Sequence, residues 1–263
     1  MTTNFATSPA SCYRSLIEID RLTKDYQAGD VRVQALRGIS VHVSRGEFVA
    51  IMGVAGSGKS ALLNILGCLE KPTKGTYVLE GIDTGKSSRD DLAYIRTRYV
   101  GIVSQDFNHL SGITALEYVG LPLFYSLARN DLWGMKAVEA LREVGLDTMM
   151  YSRLNQLSTG QQQRVAIARA VANEPSIILV DEPTPRWDSR ARVEVMGVLR
   201  ELTDRGTTVI FATKEPLIAS FATRQIVLRE GMIFSDGAND SPRRASEVLV
   251  EISQADMERG VAA

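Results

Sequence analysis

Apolar and polar residues alternate early in the chain. Ile17-Glu18-Ile19-Asp20, Val31-Arg32-Val33 and Val41-His42-Val43 each place branched residues on one side of an extended backbone. This period of two predicts a half-exposed antiparallel sheet. The pattern then changes. Phe48-Val49-Ala50-Ile51-Met52, Ile177-Ile178-Leu179-Val180 and Val209-Ile210-Phe211-Ala212 are short continuous apolar runs, as in strands covered on both faces. After the first run, Leu62, Leu63, Ile65, Leu66 and Leu69 fall on one helical face. Between the other two, Arg190 to Arg205 reads as a helix with Val193, Met196, Val198 and Leu199 inward and Gly206 as its C-cap. Strand, helix, strand in that order implies right-handed parallel crossovers, hence an α/β core.

Residues 106–157 carry helical patterns, such as Trp133 to Val144 before Gly145, and no convincing strand. They read as an α-helical insertion. From Asp236 the chain is polar and contains Ser241-Pro242-Arg243-Arg244, a linker to a short helix over Ala245 to Arg259. The expected organisation is an N-terminal extension over 1–15, one large domain with its insertion over 16–235, and a C-terminal linker and helix over 236–263.

Composition narrows the function classes. The 263 residues are 44% hydrophobic, enough for a sizeable core, and thirty basic against thirty-one acidic residues leave a net charge of -1. No global field draws the chain to nucleic acid, so none is expected as a partner. Cys12 and Cys68 lie far apart without a C-x-x-C or Cys/His cluster, which argues against a disulfide scaffold or zinc site. His42 and His109 have no ligand-spaced neighbours and receive no function. No apolar stretch approaches membrane-spanning length, and the first fifteen residues lack the basic start and apolar core of a signal peptide. The expectation is a cytoplasmic chain whose membrane role comes through a partner.

The chemistry begins at Gly53-Val54-Ala55-Gly56-Ser57-Gly58-Lys59-Ser60, the spacing G-x-x-x-x-G-K-S between a strand-like run and a helical one. Glycines let consecutive N–H groups turn inward on phosphate oxygens, and the following helix N-terminus adds its positive dipole end. Lys59 is expected on the β- and γ-phosphates of ATP and Ser60 on Mg²⁺, with Ala61 completing the first helical turn around the phosphates. This loop alone leaves kinases, GTPases, helicases and transport ATPases open.

A second pair of motifs decides between them. Leu157-Ser158-Thr159-Gly160-Gln161-Gln162-Gln163-Arg164 is followed by an apolar strand ending in Asp181-Glu182-Pro183-Thr184. Asp181 at the strand end is placed to bind Mg²⁺ through water, and Glu182 to orient and deprotonate the attacking water. Ser158, Thr159 and Gly160 open a helix whose unpaired N–H groups make an anion site. Together these segments resemble the ATP-binding cassette (ABC) ATPases over about residues 16 to 235. The resemblance implies a P-loop α/β core of mixed sheet with flanking helices, an antiparallel β subdomain and an α-helical subdomain. It also implies that two cassettes sandwich two ATP molecules head to tail, Ser158 to Gln161 of one meeting the γ-phosphate held by the other. By the same resemblance Tyr26 stacks on adenine, Gln105 ligates Mg²⁺ and hinges the helical insertion, and Asp188 belongs to the loop that crosses the dimer interface.

Within the family, Val33 to Ser40, Gly46 to Gly53, Leu62 to Gly67 and Thr114 to Val119 look most like the ATPases of lipoprotein release and macrolide or peptide export, with the cell-division cassette a close competitor. That likeness implies a transmembrane permease partner, a second cassette, and a position on the inner face of the cytoplasmic membrane. Some positions depart from the pattern. Lys214 stands where the family has its switch histidine, Thr159 replaces the first signature glycine, Pro185-Arg186-Trp187 replaces Gly-Asn-Leu, and Val54-Ala55 replaces Pro-Ser. Lysine can donate to phosphate but cannot accept a proton as neutral imidazole does, and it can pair with Glu182. Two expectations stand side by side: an ATPase subunit of a transporter with slowed hydrolysis, or an ATP-gated regulatory cassette, such as the degenerate half of a heterodimer.

Overall fold

In the computed structural model, residues 15–29, 31–103, 112–125, 133–183 and 189–258 are described. The chain opens with β1 (Ile17–Ala28) and β2 (Val31–Val43), passes through β3 (Phe48–Met52) into α1 (Lys59–Leu66), and returns with β4 (Lys74–Leu79) and β5 (Ile82–Asp83). Next come α2 (Arg89–Tyr99) and β6 (Val100–Val103), then α3 (Ala115–Tyr125), α4 (Trp133–Glu143) and α5 (Thr159–Val171). Strand β7 (Ile177–Asp181), α6 (Ser189–Asp204), β8 (Thr208–Thr213), the single turn α7 (Pro216–Ala219), β9 (Arg224–Arg229), β10 (Met232–Ala238) and α8 (Ala245–Glu258) complete it.

Two sheets form. The first is antiparallel, ordered β2-β1-β4-β5. Ile17, Ile19 and Leu22 are buried, so the period of two slips by one after Ile19, where Arg21 takes a left-handed φ of 45° in a register shift. Such a bulge re-phases the strand and keeps its apolar face inward. The two expected short strands around Val31 and Val41 are parts of one strand.

The second sheet, ordered β10-β9-β3-β8-β7-β6, is parallel from β9 to β6. The three apolar runs are its β3, β7 and β8, with Phe48 against Phe211 at 5.1 Å between ring centres. Helix α6 runs one residue ahead of the expected span. Val195 joins its buried face, while Val198 is half-buried against the same core. Leu69 corrects the reading of α1: the helix ends at Leu66, Cys68 turns left-handed at φ 52°, and Leu69 is 54% exposed.

Among the described residues of the insertion, α3, α4 and the 3₁₀ turn at Leu154 pack on α5, with one isolated bridge between Thr114 and Arg153. Arg169 on α5 donates to the Tyr118 hydroxyl at 2.8 Å and covers that ring. The linker expected from Asp236 starts later, because β10 pairs with β9 through Ala238. Its polar residues suit an exposed edge strand, and Asp236 accepts from Arg224 at 2.8 Å. Helix α8 buries Val248 against α6, where Gly197 lets it close: a Cβ there would lie 3.0 Å from the Ala245 Cβ.

Candidate functional site

Strand β3 delivers the chain into the glycine loop, and α1 starts at Lys59. Gly58 caps α1 in a left-handed conformation (φ 104°) with no capping side chain, and no acidic residue sits in the first turn. The opening N–H groups of α1 therefore face outward with their dipole uncompensated. A Cβ on Gly58 would lie 2.6 Å from the Ala35 carbonyl oxygen, so the close approach of β2 also requires glycine. The Lys59 ammonium folds back over the loop, donating to the carbonyls of Gly53 at 2.7 Å and Val54 at 3.0 Å. Val54, Ala55 and Gly56 are exposed at the rim, and Ala61 is buried beneath. The Ser57 hydroxyl is buried without a hydrogen-bond partner, an unusual state for a polar atom and one that fits a ligand-binding loop.

Strand β7 lies two strands from β3, with β8 between them, and brings its carboxylates to the same end of the sheet. The Ser60 hydroxyl is 3.5 Å from Asp181 Oδ2. Burial raises the Asp181 carboxyl above its ordinary range, opposed by the nearby Lys59 charge and the Ser60 hydroxyl. Two hard oxygen donors beside a phosphate cradle suit a magnesium ion that keeps water and phosphate as its other ligands. Glu182 turns left-handed (φ 48°), its amide donates to the Ala212 carbonyl at 2.9 Å, and its Oε2 accepts from the Thr213 hydroxyl at 3.4 Å. Thr213 is a contact that sequence reading missed. Lys214, the next residue, is exposed, and among the described residues it forms no ion pair with Glu182.

Among the described residues, no hydrogen bond or ion pair links Ser158–Gln161 to Lys59 or Ser60. Ser158 caps α5, accepting from the Gln161 amide at 3.3 Å, while the Gln161 side chain accepts from the Ser158 amide at 2.8 Å. Thr159 is exposed in the first turn. Gly160 faces Ala191, whose Cβ would be 3.2 Å from an added Cβ. The glutamine run thus has local duties: Gln161 closes the cap, Gln162 donates to Leu154 and Leu157 carbonyls, and Gln163 is buried.

Tyr26 sits on β1, half-buried opposite Val33. Burial and the Glu70 carboxylate push its hydroxyl up to about 12. The Lys24 ammonium lies 5.0 Å over the ring and pairs with Glu70 at 2.7 Å, so one ring face is already shared. Gln105 and Asp188, like Cys12, His109 and Pro185-Arg186-Trp187, fall outside the described residues.

Comparison with known proteins gives consistent matches. The ABC transporter family model matches residues 36–185. The macrolide export ATP-binding/permease protein MacB of Bdellovibrio bacteriovorus is 45% identical over 221 residues, covering 84% of this chain and 34% of that protein. MacB of Acinetobacter baylyi is 44% identical over 235 residues, 89% of this chain and 35% of that protein. The chain thus spans about a third of the length of these curated relatives. Among solved structures, the ATP-binding cassette MJ0796, in a dimeric post-hydrolysis state bound to ADP and Pi, superposes with a TM-score of 0.77 at 39% identity, covering 85% of this chain and 98% of that one. The protein cbiO1 from Clostridium perfringens, part of the ABC transporter complex cbiONQ, gives 0.77 at 28% identity over 92% and 95%.

Proposed function

Because the chain belongs to the ABC transporter family as an ATP-binding cassette, we propose that it hydrolyses ATP to drive a transmembrane permease in the export or extraction of lipoproteins, peptides or amphiphiles. The observation that carries this reading is the convergence of Lys59, Ser60, Asp181 and Glu182 at one end of the parallel sheet. In the bound state Lys59 exchanges its two loop carbonyls for the β- and γ-phosphates, alongside the N–H groups that open α1. Ser60, Asp181 through water, and Gln105 would hold Mg²⁺, which would supply charge neutralisation for the transferred phosphate. Glu182 orients the attacking water and takes its proton. Tyr26 stacks on adenine with the face that Lys24 leaves uncovered.

A second cassette closes the site, its Ser158, Thr159, Gly160 and Asp188 reaching the phosphate across the interface. The dimeric state of the MJ0796 relative supports this. No helix among the described residues is long and apolar enough to cross a membrane. From its family membership, we infer that a permease holds the cassette at the inner face of the cytoplasmic membrane. The MacB relatives are named for macrolide export and for both an ATP-binding and a permease function, which supports export through that partner.

We infer that turnover is slow because Lys214, exposed just after β8, does not replace a neutral imidazole beside the γ-phosphate. Lys214→His raises the rate of phosphate release from Mg-ATP at unchanged ATP affinity. A Lys214→His protein no faster than wild type refutes slowing at this position.

A further inference from the structure

Helix α6 touches two functional segments within its first turn. Ala191 packs against Gly160 of the signature, and Arg192, next to it, forms an ion pair with Glu215, two residues beyond β8. The pair is partly covered, at 21% and 35% side-chain exposure, and the Arg192 Nε is buried without a partner. Glu215 in turn donates its backbone N–H to the Thr213 hydroxyl at 3.1 Å. Thr213 is 1% exposed. A hydroxyl has one proton to give. With the Glu215 amide donating into its oxygen, the Thr213 proton is directed outward, and the acceptor it meets is Glu182 Oε2 at 3.4 Å.

We propose that Arg192 and Glu215 are positioning residues for Glu182, the ion pair pinning the segment after β8 so that the Thr213 hydroxyl holds the carboxylate facing the attacking water. The inference rests on Glu182 acting as the base, as argued above. It gives a chain with Lys214 in place of histidine a hold on its base that comes from α6 through Glu215 and Thr213. It also ties the carboxylate to the helix that abuts the signature, so movement of Ala191 against Gly160 reaches Glu182 through the residue beside it.

The alternative is an ion pair that serves stability alone. Phosphate release in a single turnover and ATP affinity, measured separately on the purified chain with Mg-ATP, divide the two. Arg192→Ala, Glu215→Ala and Thr213→Val each lower the single-turnover rate by about ten- to a hundredfold, with ATP affinity within about twofold of wild type. The charge swap Arg192→Glu with Glu215→Arg recovers most of the rate, and Arg192→Ala with Thr213→Val is no slower than Thr213→Val alone. Unchanged rates, or losses that multiply in the double variant, overturn the proposal. Hydrogen exchange on the ATP-bound chain keeps the test independent of hydrolysis. The Glu182 and Glu215 amides exchange about tenfold faster in Arg192→Ala than in wild type. If wild type releases no more phosphate than Glu182→Gln, the base assignment fails. Unchanged exchange in Arg192→Ala overturns the relay itself.

Discussion

Gly101 on β6 is where the strand and the signature helix α5 come closest. A Cβ at this position would lie 2.4 Å from the Ala170 carbonyl oxygen and 3.0 Å from its carbon, against an ordinary contact of 3.4 Å or more. Both atoms belong to the backbone of α5 and Gly101 is fixed in the sheet by its parallel partner β7, so neither side can swing away as a side chain would. Gly101→Ala therefore forces β6 and α5 about 1 Å apart, and overpacking on this scale costs about 1–3 kcal/mol. The smaller entropy of the unfolded chain returns about 0.5–1 kcal/mol, leaving a net loss of about 1–2 kcal/mol. The matched control is Gly134→Ala near the start of α4, where nothing lies within 4 Å of the added atom. There the same substitution stabilises by up to about 1 kcal/mol through helix propensity. Urea unfolding followed by circular dichroism reads both as shifts in midpoint at unchanged slope. A Gly101→Ala protein as stable as wild type refutes the close approach, and destabilisation by Gly134→Ala refutes the reading of open space.

Other expectations are more local. Lys59→Ala removes the charge folded over the phosphate loop and lowers ATP affinity by about ten- to a hundredfold, the worth of a charged hydrogen bond; a fluorescent nucleotide titration measures it. Val248→Ala opens the α6–α8 contact and costs about 1–2 kcal/mol in urea unfolding, whereas Val250→Ala, at 56% exposure, stays within about 0.5 kcal/mol. Burial pushes the Cys68 thiol up to about 11 from 9.0. The folded thiol keeps its proton longer than the unfolded one, so stability from this group is present below pH 9.0 and is lost as pH rises towards about 11. At pH 8, iodoacetamide leaves Cys68 unmodified in the native chain and modifies it in urea, as peptide masses report.

The sequence was most legible where local geometry requires particular residues. The glycines and Lys59 of the phosphate loop sit at fixed offsets because the backbone must turn and approach other carbonyls, and the buried strands read as apolar runs because both faces are covered. Legibility ended where tertiary contacts overrode pattern. Helix α1 ends before Leu69 at the C-cap Gly67, but the left-handed turn falls one residue later, on Cys68, where no glycine marks it. The polar end of β10 at Asp236 is nonetheless paired, with Arg224 clamping Asp236 and Glu47. Contacts between distant segments were invisible in the same way: Thr213 on Glu182, Glu70 beside Tyr26, and Arg192 on Glu215 each join residues that no spacing rule connects. The glutamines after Ser158 were legible as a motif, but their division between cap, loop tie and core was not.

Phosphate release from the purified chain in Mg-ATP, measured across protein concentration beside Glu182→Gln, bears most directly on a cassette that pairs around ATP and cleaves it with its own base. Slow turnover that rises with concentration and disappears in Glu182→Gln is the expected result. Release no greater than that of Glu182→Gln at every concentration, with ATP still bound, would contradict it.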